Sequence, residues 1–126
     1  LDRIQIVKGW LDASGTPQEK VYNVVWADAE KRKIDRKGKI PLIGNTVDVK
    51  NATYTNTIGD TELISYWKDP DFNAKQRAFY YVRVLEIPTP RWTAYDAKYY
   101  GVKMDDEVLM EVIERAYTSP IWYNPN

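Results

Sequence analysis

An all-β, immunoglobulin-like β-sandwich of about seven short strands with one or two short helices is expected for this 126-residue chain, on three observations. β-branched and aromatic runs alternate at period two, clusters of Gly, Pro, Asn and Asp punctuate them, and helix punctuation is sparse. The length supports one hydrophobic core, so residues 1–126 are read as a single domain.

The elements follow in order. In DRIQIVKGW (2–10), Ile4 and Ile6 alternate with Arg3 and Gln5; DASGT supplies turn chemistry and EKVYNVVWA (19–27) returns, which predicts a hairpin. Residues 28–45 are charged, contain glycine and lack a period, as an exposed loop does. NTVDVKNATYT (45–55) and ELISYW (62–67) read as two further strands around an IGDT turn. QRAFYYVRVLEI (76–87) is the strongest strand, with apolar residues on both faces, so a central position between layers is expected. The prolines of EIPTPRWTAYDA (86–97) make a rigid exit from it, because each restricts its own φ and extends the residue before it. TAYDAKYYG predicts a short helix capped by Thr93, with Asp96 three residues on and Gly101 as its stop. MDDEVLMEVIER fits an amphipathic helix through Met104, Val108 and Val112, although Val and Ile also suit an extended chain. AYTSPIWY closes the chain as a strand that Pro120 restricts to an edge or a bulge.

Composition removes much of the catalytic repertoire. With no cysteine and no histidine, there are no disulfides, thiolate or imidazole metal ligands, or Ser-His-Asp and Cys-His machinery. Lys plus Arg equals Asp plus Glu at 18 each, so no global field draws in nucleic acid or an anionic membrane, and local charge runs such as EKRKIDRKGK (30–39) and DDEVLMEVIE (105–114) read as solvated surface. No apolar run reaches the roughly 18 residues of a membrane helix. No signal peptide is visible and the chain opens at Leu1 without methionine, as a processed or excised fragment would.

The remaining motifs are weak. Asp69, Asp71 and Asn73 occupy the first, third and fifth positions of a calcium-loop pattern, but Ala74 replaces its glycine and Tyr80 its bidentate glutamate, which leaves a proline-containing turn. SYWK (65–68) matches Ser-x-x-Lys on a predicted strand and lacks the partner motifs. Asp105 and Asp106 are neighbours in sequence, and nothing in their spacing sets a glycosidase separation. Asn51 opens a glycosylation sequon, relevant only to a secreted eukaryotic protein. RAFYYVRV (77–84) carries alternate aromatics like an RNA-recognition strand, but Ala78, Tyr80 and Val84 depart from that pattern and a core strand is the better reading. No catalytic residue, metal ligand or cofactor is therefore assigned.

Five tryptophans and ten tyrosines against two phenylalanines favour rings with a polar tip, the kind that suits interfaces. Trp26, Trp67 and Trp122 lie in strand-like runs and are expected to fill the core. Arg91, Trp92, Tyr95, Tyr99 and Tyr100 lie in a loop and short helix. They fold over one end of the sandwich, dock on another domain or protomer, or form a stacking platform for a carbohydrate-type ligand.

The segments DRIQIVKGWLDASGTPQEKVYNVVWAD, GNTVDVKNATYTNTIGD, WKDPDFNAKQRAFYYVRVLEIPTPRWTAYDA and RAYTSPIWY together cover most of the chain. They closely resemble the C-terminal part of a family of large bacterial proteins whose preceding domain is similar to PHP-type (polymerase-and-histidinol-phosphatase) metal-dependent hydrolases. The resemblance implies a noncatalytic, exported accessory domain, secreted or periplasmic, with the hydrolase ligands upstream of Leu1. The partners expected are that upstream domain and a second copy of the chain, with no nucleic acid and no membrane insertion. The alternative is a carbohydrate-type ligand-binding module.

Overall fold

The computed structural model describes residues 1–125 and is mostly β: one open antiparallel sheet of five strands and a single short helix. Strands β1 (Arg3–Leu11) and β2 (Pro17–Trp26) form the expected hairpin, closed by a turn in which the Asp12 carboxylate accepts from the Ser14 and Thr16 N–H groups and Gly15 takes φ 81°. β3 (Ala78–Pro90) lies between β1 and the C-terminal strands, and helix α1 (Trp92–Tyr100) springs from its end. β4 (Glu111–Tyr117) pairs with the second half of β3, while β5 (Ile121–Tyr123) pairs with its start. The edge is thus one strand interrupted at Thr118–Pro120, where the Thr118 hydroxyl accepts from the Val82 N–H.

The second sheet of the expected immunoglobulin-like sandwich is not formed among the described residues, and five strands replace the expected seven. In 45–55, Asp48 binds the Asn51 N–H and Ala52 turns to φ 49°, which folds the segment on itself and leaves one isolated bridge, Asp48 to Thr53. Residues 62–67 have no strand partner and instead lean on the sheet through Trp67, whose ring centroid lies 5.0 Å from Tyr22 and 6.3 Å from Tyr80. The stretch expected as a helix at 104–115 is a turn at Asp105–Val108 followed by β4, because β-branched Val112 and Ile113 find a waiting edge on β3. Pro88 and Pro90 are accommodated in β3 because that stretch lies beyond the end of β1 and pairs only with β4.

Cross-strand partners divide the sheet into two faces. Val25, Ile4 and Val84, then Tyr22, Ile6 and Val82, then Lys20, Lys8 and Tyr80 form successive rows on one face, and Trp67, Asp69 and Asp71 lie against the second and third of them. Asn23, Gln5 and Arg83 form a hydrogen-bonded rung on the other, with Gln5 donating to Asn23 at 2.7 Å and Arg83 donating to Gln5 at 2.9 Å. The loop at 28–41 is pinned beside this rung by Arg32 and by Asn23 donating to the Gly38 carbonyl. The core is thin: Val7 is the largest side chain enclosed almost completely, at 1% exposure, and the other buried apolar residues are Leu85, Ile87, Ile40 and several alanines.

Gly59 locks the start of the chain to this core. It takes φ +80°, and a Cβ there would lie 2.7 Å from the Ile87 Cγ2 and 2.8 Å from the Leu1 carbonyl oxygen. That oxygen accepts from the Asp60 N–H. Gly59→Ala is expected to cost about 2 kcal/mol from left-handed strain and overpacking. Urea unfolding reads the loss; a change below about 0.5 kcal/mol, the size of an ordinary surface substitution, would mean the close approach is unimportant.

Candidate functional site: an aromatic helix and a charge clasp

α1 begins after Arg91, whose extended backbone (φ −76°, ψ 161°) sets the N-cap, and ends at Gly101 in the left-handed conformation that a glycine adopts without strain. Thr93 does not cap the helix. It lies in the first turn, buried, and its hydroxyl donates to the Leu109 carbonyl, so the segment before β4 holds it. Ala94, fully buried, completes the contact face with Thr93.

At helical spacing Trp92, Tyr95 and Tyr99 share the opposite face, and Tyr100 lies beside them. Trp92 is 62% exposed, Tyr99 82%, and Tyr95 and Tyr100 are exposed as well. Tyr99 and Tyr100 meet edge to face at 4.9 Å. The Arg91 guanidinium carbon lies 6.0 Å from the Trp92 ring centroid, at the limit of a cation–π contact. The structure therefore brings the five sequence-selected residues together on one helix and its cap, with the four rings facing outward and Arg91 half-buried.

A second cluster was not singled out as a site in the sequence. Lys8 and Lys20 sit directly opposite each other on β1 and β2, a pairing that like charges destabilise. The turn at Asp69–Pro70–Asp71 supplies one carboxylate to each: Lys8 Nζ lies 2.6 Å from Asp69 Oδ2, and Lys20 pairs with Asp71. Lys8 also donates to the Asp71 carbonyl at 2.9 Å, Tyr80 donates to Asp69 at 2.8 Å and Tyr22 to Asp71 at 2.8 Å. Asp71 N–H closes the turn on Asp69 Oδ1 at 2.8 Å. The calcium-like spacing is thus a proline-containing turn whose carboxylates are occupied by ammonium and phenol donors. Among the described residues no three His, Cys, Asp or Glu side chains are grouped to hold a metal ion. One sequence signal could have found the clasp: Lys8 interrupts the otherwise apolar side Ile4, Ile6, Trp10 of β1, and a lysine so placed needs an acidic partner from elsewhere.

The clasp sets the pH response. Burial alone would raise the Asp69 pKa, but donation from Lys8, Tyr80 and the Asp71 N–H outweighs it and holds the carboxyl below its ordinary 3.8. The Lys20 bond does the same for Asp71. Burial, then the neighbouring carboxylates, push the Tyr22 and Tyr80 phenols above their ordinary 10.0. Lowered carboxyls contribute stability that is present above 3.8 and lost as pH falls through the folded values. Raised phenols contribute stability present below 10.0 and lost as pH rises beyond it. A Tyr22→Phe, Tyr80→Phe variant is expected to flatten the alkaline decline in a denaturation series; an unchanged decline would assign it to other groups.

Trp26 is half-buried with its indole N–H on the Arg32 carbonyl at 2.8 Å, and Trp67 is half-buried against the clasp tyrosines. Trp122, expected in the core, is 67% exposed because its strand is the outer edge and no second layer faces it.

No curated protein and no solved structure matches this chain. Residues 1–125 match the family model described as protein of unknown function (DUF3604), so the chain belongs to that family.

Proposed function

We propose that this chain is a noncatalytic accessory domain that works by docking, exported as part of a bacterial protein whose preceding domain is a metal-dependent hydrolase. One observation carries the reading. The described chain exposes 9360 Å², whereas a compact 14.7 kDa monomer exposes roughly 6,900 Å². The excess, roughly 2,400 Å², exceeds the roughly 800 Å² that one partner contributes to a standard interface. Much of it is apolar, on α1, on β4 and along 42–66.

Geometry adds an orientation. Arg3 at the start of β1 pairs with Leu85, and Leu1 lies with Gly59, Glu86, Ile87 and Thr89 around one depression, so a domain preceding Leu1 joins at the end of the sheet from which α1 springs. Trp92, Tyr95 and Tyr99 on α1 then offer it an exposed aromatic surface to cover. The side chains best suited to chemistry, Lys8 and Asp69, are paired with each other and enclosed, at 3% and 6% side-chain exposure.

The test is to read the open reading frame upstream of the Leu1 codon, produce the preceding domain separately, and measure its association with this chain. A complex is expected, weakened about tenfold or more by Trp92→Ser with Tyr99→Ser, the loss typical of central aromatic anchors. Absence of a metal-ligand-bearing domain upstream, no association, or hydrolytic turnover by this chain alone overturns the reading.

A further inference from the structure

At the opposite end of the sheet from Leu1, the face that carries Gln5 and Val7 has a cleft of about 600 Å³, within the size range of small-ligand sites. It follows a row across four strands, in which Glu19 on β2, Gly9 on β1, Phe79 on β3 and Trp122 on β5 are successive cross-strand partners; the last three form its floor. Gly9 makes the floor flat. A Cβ there would lie 2.3 Å from Phe79 Cζ, so the phenyl ring lies across the glycine, where any side chain would displace it. Trp122 stands beside it, ring centroids 5.2 Å apart, and remains two-thirds exposed.

The rim is polar and carries both signs. Arg77 is oriented by its Nε donating to Asn124 Oδ1 at 3.1 Å, which leaves the outer guanidinium nitrogens without a protein acceptor among the described residues. Glu19, across the cleft on β2, makes no ion pair among the described residues. Donor and acceptor therefore line one cleft together with two aromatic rings.

We propose that this cleft binds a neutral pyranose unit of an oligosaccharide. A pyranose has an apolar C–H face and a rim of hydroxyls that both donate and accept. The C–H face stacks on the exposed Trp122 ring, with Phe79, tilted 47° to it, beside the sugar, as amphipathic contact with an aromatic body allows. Hydroxyls accept from the fork of Arg77 and donate to Glu19. An anionic sugar meets the Glu19 carboxylate, and a wholly apolar ligand leaves both charges desolvated without partners. The cleft lies away from α1, so this site stands independently of the docking of the preceding domain.

The experiment titrates the 126-residue chain with soluble cellohexaose, xylohexaose, mannohexaose and maltohexaose, with hexagalacturonate as the anionic control, by calorimetry and tryptophan fluorescence. Saturable binding of at least one neutral sugar is expected. Trp122→Ala and Arg77→Gln each weaken it about tenfold or more, whereas Trp92→Ala leaves it unchanged. Both sites are exposed, and circular dichroism establishes that each variant keeps its fold. Arg77→Gln leaves the aromatic floor intact, so it reports on the rim even if Trp122→Ala unfolds. No heat from any neutral sugar, binding of hexagalacturonate alone, or binding equally lost in Trp92→Ala overturns the assignment. So does a Trp122→Ala variant that keeps its fold and full affinity.

Discussion

Asp69→Ala lowers the unfolding free energy by about 3 kcal/mol or more, the size expected when one member of an enclosed ion pair is removed. The substitution leaves Lys8 charged and enclosed opposite Lys20, with only the Asp71 carbonyl as a direct acceptor, and takes the acceptor from the Tyr80 hydroxyl. It also releases the turn that holds residues 60–77 on the sheet, and with it the packing of Trp67 on Tyr22 and Tyr80. Removing the whole polar group has a different outcome. Lys8→Met with Asp69→Leu and Tyr80→Phe leaves no orphaned charge, and the triple variant is expected within about 1 kcal/mol of the starting protein. Urea unfolding followed by tryptophan emission distinguishes the two. A single variant that loses less than about 1 kcal/mol, the net value of one ordinary hydrogen bond, or a triple variant no better than the single, defeats the account.

Arg32→Ala is expected to cost about 3 kcal/mol as well, by unpairing three acceptors together. The guanidinium donates through Nη2 to Asp2 at 2.6 Å, through Nη1 to the Ala27 carbonyl at 2.9 Å and through Nε to the Pro41 carbonyl at 3.0 Å. These bonds tie both ends of the basic loop to Asp2, just before the first strand, and the Arg32 and Asp2 side chains are each 7% exposed. Arg32→Lys keeps the charge but cannot reproduce three divergent donors held in one plane, so it recovers less than half of the loss. A trypsin time course supplies an independent measure, because Lys31, Lys33, Arg36, Lys37 and Lys39 lie in the released loop. Cleavage there at the original rate in Arg32→Ala rules out this tethering role.

The two structural predictions and the two binding proposals use separate residues. Asp69 and Arg32 act on folding, Trp92 and Tyr99 on docking, and Trp122 and Arg77 on ligand. A docking variant that moves ligand binding, or the reverse, exposes a coupling that the geometry does not contain, whereas Asp69→Ala, by releasing residues 60–77, also acts on Arg77.

Local pattern was sufficient where an element could be completed by its near neighbours. The alternation in β1 and β2 with the Asp12–Thr16 turn specified the hairpin, Gly101 specified the end of α1, and Pro120 specified an edge, each through backbone preferences that act within a few residues. The aromatic helix was legible for the same reason, since the spacing of Trp92, Tyr95 and Tyr99 is a property of one helical turn and the next, whereas its exposure depends on what packs against it. Distant partners settled the rest. A β-strand exists only when another strand takes its hydrogen bonds, so 62–67 and most of 45–55 remain outside the sheet despite strand-prone composition, while 111–117 becomes a strand because β3 offers an edge. The clasp joins Lys8 to Asp69 across 61 positions, and the cleft joins Glu19, Gly9, Phe79 and Trp122 from four strands; such meetings depend on register, which one-dimensional spacing does not encode.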